Sequence, residues 1–432
     1  NFCMDGLVYP DRTVHTGLLE YKNVYRPARV VSYDKESGEL VLHNYMDFDD
    51  LKDYVKISYE LTQDGLVISK GKLAEVSVAP HSEGKISLNI NVPENGKCYL
   101  KLIYQLKKEM PLLEKDHILG FDEIEVSQKD AKCQLAEKWL EKTSADSELQ
   151  VNENDTQIHI KGREFAYTID RRTALFTEMK FAGREYLNHP MELNIWRAPT
   201  DNDMYIKSEW RKAHYDKAYT RAYTTEVVQG KHGVKITSHA SVVAETVQKI
   251  LDVTITWTID AAGKIDADIE ATKDGEFPDL PRFGVRMFLD KKLADVRYFG
   301  MGPQESYRDK HQAASHGLYR ANIGDLHEDY IRPQENGSHY DCEYVELNNS
   351  RYGIVASAEK AFSFNASYYT QEELEKKTHN YELTESDSVV FCVDYALNGI
   401  GSNSCGPVVL DQYRFNDVLF RFQFTLVPYV KG

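Results

Sequence analysis

At 432 residues the chain is long enough for two or three domains, each with a full hydrophobic core. Lys and Arg number 52 against 68 Asp and Glu, a formal charge of −16 that disfavours unspecific binding to nucleic acid or to anionic membranes. No run of about eighteen apolar residues exists to span a bilayer, so neither a nucleic-acid nor a membrane partner is expected.

Residues 1 to 25 lack strong periodicity and hold the turn-rich stretch Val8-Tyr9-Pro10-Asp11-Arg12-Thr13. From 26 to about 127 the pattern becomes short alternating strands. Tyr54, Val55, Ile57, Tyr59 and Leu61 run into Gln63-Asp64-Gly65 and then Leu66-Val67-Ile68; Asp-Gly between two such runs predicts a hairpin. Further strands are expected at Val76–Val78, Ile86–Ile90 and Tyr99–Tyr104. About seven short strands in about one hundred residues predict an immunoglobulin-like sandwich.

Residues 128–150 are rich in Lys, Glu, Ser and Ala around Trp139 and read as a linker with some helix. Strands then continue from 151 to 432, among them Phe165–Ile169, Val253–Ile259, Ile265–Ile269 and Phe420–Phe424. Helix is expected only near Glu209–Ala218 and Gln371–Lys377. So much strand with so little helix predicts one large sandwich or two fused ones, and no barrel of parallel strands. The 28 Tyr against 4 Trp suit this, because Tyr favours strands and half-exposed sites.

The six cysteines form no CxxC pair and none stands near a His at zinc-ligand spacing. They read as free thiols, which fits a reducing compartment; a cytoplasmic location is expected, with the periplasm as the alternative. The chain opens at Asn1 without a signal-like n-region and h-region, so any targeting signal would lie upstream. Neither HExxH nor GxSxG is present, and Gly399-Ile400-Gly401 does not open a helix.

Two related turns, Gly302-Pro303-Gln304-Glu305-Ser306-Tyr307 and Arg332-Pro333-Gln334-Glu335-Asn336-Gly337, each place a Glu after a Pro-containing turn. A carboxylate there commonly accepts backbone N–H bonds and pins a loop; catalysis by Glu305 or Glu335 is the alternative. Trp196-Arg197-Ala198-Pro199-Thr200-Asp201-Asn202-Asp203 predicts an ordered exposed loop. Asp201 and Asp203 could suggest calcium, but the EF-hand pattern is missing.

Taken in order, these segments resemble the family-2 β-galactosidases of the lactose-hydrolysing type. The resemblance starts at Asn1-Phe2-Cys3-Met4-Asp5-Gly6-Leu7-Val8 and Asp11-Arg12-Thr13. It runs through Arg197–Asp203, Gly300–Tyr307 and Glu335-Asn336-Gly337 to Gly399-Ile400-Gly401. It implies an all-β fold, an immunoglobulin-like β-sandwich followed by a large galactose-mutarotase-like β-supersandwich, with residues 1–25 as the tail of a catalytic barrel and its linker. The acid/base Glu, the nucleophile Glu and the magnesium ligands of such enzymes belong to the barrel, so no catalytic residue is expected in this chain.

The resemblance also implies a remnant sodium site at Phe2 and Asp5, incomplete here, with Phe2 and Cys405 at the substrate rim. Cys405 falls where the family has a Trp platform, and Met204–Trp210 falls where it has a mobile loop. The expected partners are the N-terminal and barrel portion of the same β-galactosidase, a β-galactoside substrate and further copies in a homo-oligomer. The parent would use magnesium and sodium. Two rivals from other classes are an independent mutarotase-like enzyme, which needs a His and a Glu converging in a sugar-sized groove, and a carbohydrate-binding module, which needs a flat aromatic strip.

Overall fold

The computed structural model describes residues 6–141 and 149–431. It divides into two compact units. The smaller runs to Leu135 and also takes in Phe299–Gln304 and His311–Leu318; the larger holds Ala136–Tyr298, Glu305–Lys310 and the chain from Tyr319 onward.

Alternation of apolar and polar residues builds the smaller unit. In Cys98–Leu106 the side chains of Leu100, Leu102 and Tyr104 are wholly buried, while Lys101, Ile103 and Gln105 between them are half-buried. That strand sits inside an antiparallel sheet of four, ordered Leu66–Lys72, Val55–Gln63, Cys98–Leu106 and Ile118–Glu125. A second sheet of three is formed by Ala28–Asp34, Glu39–Asn44 and Glu83–Ser87. Leu40, Leu42, Leu51, Val55, Ile57 and Leu61 close the core with Leu100 and Leu102, so the unit is the seven-stranded sandwich that the alternation predicts.

The hairpin at Asp64-Gly65 has φ of +48° and +78° at its two central residues, the left-handed pair that a two-residue turn of matching twist requires. The strand expected at Val76–Val78 is not formed. There Val78 donates its N–H to the Asp50 carboxylate at 3.1 Å and accepts from Leu51 N–H at 3.0 Å, so its backbone is satisfied outside any ladder.

Thr16–Val24 is helical, which the lack of apolar periodicity did not predict. Its anchors are polar: Asn23 donates to the Gln312 carbonyl at 2.8 Å and accepts from Phe121 N–H at 2.7 Å, and Glu20 accepts from the Gln312 and Ala313 N–H groups at 2.8 Å each. The stretch His311–Leu318 is held further by His316, whose ring stacks on Tyr99 at 4.1 Å and whose N–H bonds the Glu123 carboxylate at 2.9 Å.

In the larger unit nine strands follow one path: Leu187–Asn194, Arg282–Asp290, Ser388–Leu397, Tyr352–Ser367, Leu419–Val430, Ile265–Lys273, Leu251–Asp260, Gly233–Val243 and Tyr219–Gln229. Asp295–Gly302, Ser315–Asn322 and Ser338–Asn348 complete a sheet of twelve, and a separate sheet of five spans Gln150–Glu185. One cluster of buried apolar side chains extends from Leu149 to Leu426, so this is one large sandwich rather than two fused ones. Trp257 lies at its centre, edge-on to Phe176 and Phe424, with its indole N–H on the Ala174 carbonyl at 2.8 Å.

In the 128–150 stretch Gln134–Leu140 is helical, and the buried Lys264 ammonium bonds the last carbonyls, Leu140 at 2.7 Å and Glu141 at 3.0 Å. The two expected helices appear at Ile206–Lys212 and Gln371–Lys376.

Candidate functional site: a polar latch beneath an exposed loop

The segment 196–203 leaves the strand Leu187–Asn194 and closes on itself through charge. Arg197 is wholly buried and meets Asp203 with two nitrogens, Nε at 3.1 Å and Nη2 at 2.7 Å. The same Asp203 accepts Thr200 N–H at 2.9 Å, which winds Asp201–Asp203 into one tight turn. Asp203 is therefore the counter-ion of a buried arginine, and among the described residues no group of three His, Cys, Asp or Glu could hold a metal ion. The remaining guanidinium donors reach forward to the carbonyls of Asn398 at 2.6 Å and Gly399 at 3.1 Å. Such a fork, with four hydrogen bonds from three nitrogens, is the geometry Arg supplies and Lys does not.

The turn at Gln334–Glu335 docks on this segment: Glu335 N–H bonds the Ala198 carbonyl at 3.0 Å and Asp201 N–H bonds the Gln334 side chain at 3.0 Å. The Glu335 carboxylate faces Arg282 at 3.3 Å, and Arg282 also grips Asp394 at 2.6 Å. All three are buried. Burial pushes both carboxyls above their ordinary range, with Arg282 acting against it, while the two carboxylates hold the guanidinium proton more firmly than usual.

Glu305 does what the turn chemistry predicts. It accepts Gly337 N–H at 2.8 Å, pairs with Lys310 at 2.5 Å and takes the Tyr330 hydroxyl. Although burial opposes it, the adjacent Lys310 charge and these bonds hold its carboxyl below the usual value. The Glu305 carboxylate thus pins its loop through Lys310, Tyr330 and the Gly337 N–H, whereas the Glu335 carboxylate is held by Arg282 and its turn by the Glu335 N–H on the Ala198 carbonyl.

Beyond Asn398 the chain leaves its strand and enters an irregular loop that carries Cys405. Asp309 accepts Ile400 N–H at 2.9 Å and Gly401 N–H at 2.8 Å. Asn202 donates to the Gly401 carbonyl at 2.7 Å and accepts the Ser404 hydroxyl at 2.8 Å. Cys405 is exposed, whereas Cys98, Cys133, Cys342 and Cys392 are buried free thiols. Within this chain Cys405 is thus not part of a packed core.

Phe2 and Asp5 lie outside the described residues, and with them the remnant sodium site. Met204 and Tyr205 are exposed, but the stretch that the resemblance matches to a mobile loop is helical from Ile206 and tied down by Trp210, wholly buried, with its N–H on the Asp279 carbonyl at 2.8 Å.

A cavity of about 230 Å³ in the same unit is lined by Tyr307, Tyr340, Phe362, Tyr395, Arg308 and Asp417, among others. Its described lining holds neither His nor Glu. His339, the histidine nearest Glu335 in sequence, is buried against Tyr298 and Phe364. The geometry that a mutarotase-like enzyme would need is not assembled there.

Sequence reasoning picked out Arg197–Asp203 and Gly399–Gly401 as segments but not Asp309, which joins the second to the fold. The available signal was the pair of glycines: a Cβ at Gly399 would lie 2.7 Å from an Asp309 oxygen, and Gly401 has φ +69°.

Residues 161–426 match the family profile described as beta galactosidase small chain, and residues 40–127 match beta-galactosidase, domain 4. A beta-galactosidase from Actinobacillus pleuropneumoniae is 44% identical over 99% of this chain, and one from Staphylococcus xylosus is 32% identical over 99%. The chain spans 41% and 42% of the length of those relatives. A solved galactose 1-epimerase from Lactobacillus acidophilus NCFM overlaps 67% of this chain and all of its own, at 9% identity and a TM-score of 0.37, a likeness that speaks to neither substrate nor mechanism. With the small-chain profile covering most of the larger unit and the domain 4 profile most of the smaller, the chain belongs to the β-galactosidase family and corresponds to its C-terminal part.

Proposed function

We propose that this chain is the non-catalytic C-terminal portion of a β-galactosidase that hydrolyses terminal β-D-galactosides such as lactose with retention, and that it supplies scaffold, assembly contacts and part of the active-site rim. Retention calls for two carboxyls about 5 Å apart, one acid/base and one nucleophile. The observation that carries the reading is the commitment of Glu305, Glu335, Asp203 and Asp394 to neighbouring cations in a chain that aligns over 99% of its length with 41% of the length of its Actinobacillus relative. The reacting carboxyls, and residues for magnesium, are assigned to the remaining three-fifths of the parent, which forms a homo-oligomer in the cytoplasm. Sodium would be shared with Phe2 and Asp5.

Leu7, Val8, Val14, Tyr21, Val24 and Tyr25 are exposed in the smaller unit, and a patch of that kind suits a surface covered in the parent. The test is reconstitution. The purified chain is expected to leave aryl β-galactosides intact and to gain activity on co-expression with the N-terminal and barrel portion. Turnover of about 1 s⁻¹ by the chain alone, contamination excluded, overturns the proposal; so does failure to form any complex by refolding or co-expression.

A further inference from the structure

The loop Asn398–Cys405 has no strand ladder of its own, so its backbone groups must find partners elsewhere. The Asn398 and Gly399 N–H groups bond the carbonyls of Pro281 at 2.9 Å and Tyr413 at 2.8 Å, and three side chains provide further partners. Arg197 takes the carbonyls of Asn398 and Gly399, Asp309 takes the N–H groups of Ile400 and Gly401, and Asn202 takes the Gly401 carbonyl and the Ser404 hydroxyl. Within four consecutive residues, 398–401, every one is bonded to a side chain from a distant part of the chain.

We infer that Asp309 is the positioning residue of this latch, and that it presets the Cys405 loop as a rigid piece of the active-site rim. The inference rests on the reading above for the word rim, and on geometry alone for the latch. Asp309 differs from its two companions. Arg197 is also the counter-ion of Asp203 inside the core, and Asn202 sits in the turn that Asp203 closes. Asp309 is only half-buried, and its two oxygens accept two successive N–H groups, an arrangement in which the charge is shared by a concave pair of donors.

The loop sequence is shaped around that carboxylate. A side chain at Gly399 would collide with it, and Gly401 takes the left-handed conformation that turns its N–H inward. Because the loop is ordered by folding, its conformational freedom is not spent when substrate arrives. Release of the latch should therefore appear in KM before it appears in kcat, since the reacting carboxyls are elsewhere.

Cys405 is itself the reporter. In the 432-residue chain with Cys3→Ser, a nitroxide label on the exposed Cys405 is expected to show restricted motion, and Asp309→Ala is expected to make it several-fold more mobile. Asp309→Asn keeps one acceptor oxygen and should fall between. In the full-length parent, Asp309→Ala should raise KM for an aryl β-galactoside about five- to tenfold with kcat within about twofold, a loss of ground-state and transition-state binding alike. Unchanged label motion in Asp309→Ala overturns the latch. A mobile label with unchanged KM overturns the placing of this loop at the rim, and with it the rim part of the proposed function, while the latch stands. If Asp309→Ala does not fold, Asn202→Ala tests the same loop through its other anchor, with the same outcomes.

Discussion

Replacing Arg282 by Met removes the cation from between two buried carboxylates while filling most of its volume. Arg282 is wholly buried, bonded to Asp394 at 2.6 Å and to Glu335 at 3.3 Å, and both acids are themselves buried. Removing one partner of such a cluster costs about 3–5 kcal/mol, since the charges left behind have lost both water and counter-ion. At about 2 °C per kcal/mol for a unit of this size, the melting transition of the larger unit should fall by about 6–10 °C at pH 7.

The pH dependence fixes the cause. Burial already raises the folded values of Glu335 and Asp394, so the fold disfavours their ionised forms. That penalty is absent below the unfolded values, about 3.9–4.3, grows as pH rises from them towards the folded ones, and is complete above the folded ones. Without Arg282 the folded values rise further. The deficit of Arg282→Met should therefore be widest at pH 7 and above and shrink towards pH 5 as the acids take up protons. Arg282→Met with Asp394→Asn should recover part of the loss at pH 7. Calorimetric melts between pH 5 and pH 8 provide the assay. A deficit below 2 °C at pH 7, or one that stays constant across this range, refutes the argument that uncompensated buried charge is what the arginine prevents.

Gly65→Ala should destabilise the smaller unit by on the order of 3 kcal/mol in urea melts: its φ is +78° and the added Cβ would stand 2.1 Å from Leu318 N, so a cost under about 0.5 kcal/mol would disprove the close approach. With a thiol reagent, Cys405 should react at once, and Cys98, Cys133, Cys342 and Cys392 only on unfolding; while the fold is intact Cys392 is further protected because burial pushes its thiol up to about 12. In the full-length parent Cys405→Ala should change kcat/KM for aryl galactosides by less than about tenfold, because a thiol offers a sugar no aromatic face; a thousandfold loss in folded protein would put the thiol in the chemistry.

The strands could be read from the sequence wherever one side of a sheet meets a core. Leu251–Asp260 alternates buried and less buried residues along its whole length, and Asp64-Gly65 marks the hairpin between Val55–Gln63 and Leu66–Lys72 because few other residues tolerate that backbone. The all-β class is borne out on this basis, and the family resemblance by the two family profiles and the β-galactosidase relatives. The helix Thr16–Val24 left no apolar period, since Asn23 and Glu20 attach it through hydrogen bonds. The latch was illegible for a similar reason. Asp309 binds backbone N–H groups 91 and 92 residues away, and backbone carries no residue identity that a sequence could advertise. Arg197 and Asp203 stood together in a conspicuous segment, but only the tight turn between them shows that Asp203 is the counter-ion of Arg197.

Between Tyr298 and Tyr319 the chain alternates membership, with Phe299–Gln304 and His311–Leu318 in the smaller unit and Glu305–Lys310 in the larger. Neither unit is therefore a contiguous stretch of gene. Recombination that exchanged only the first 135 codons would part His316 from Tyr99 and Glu123, and Gly65 from Leu318, although all of these lie in one compact body. An exchange confined to residues 1–135 would therefore leave the smaller unit without the two segments that complete it.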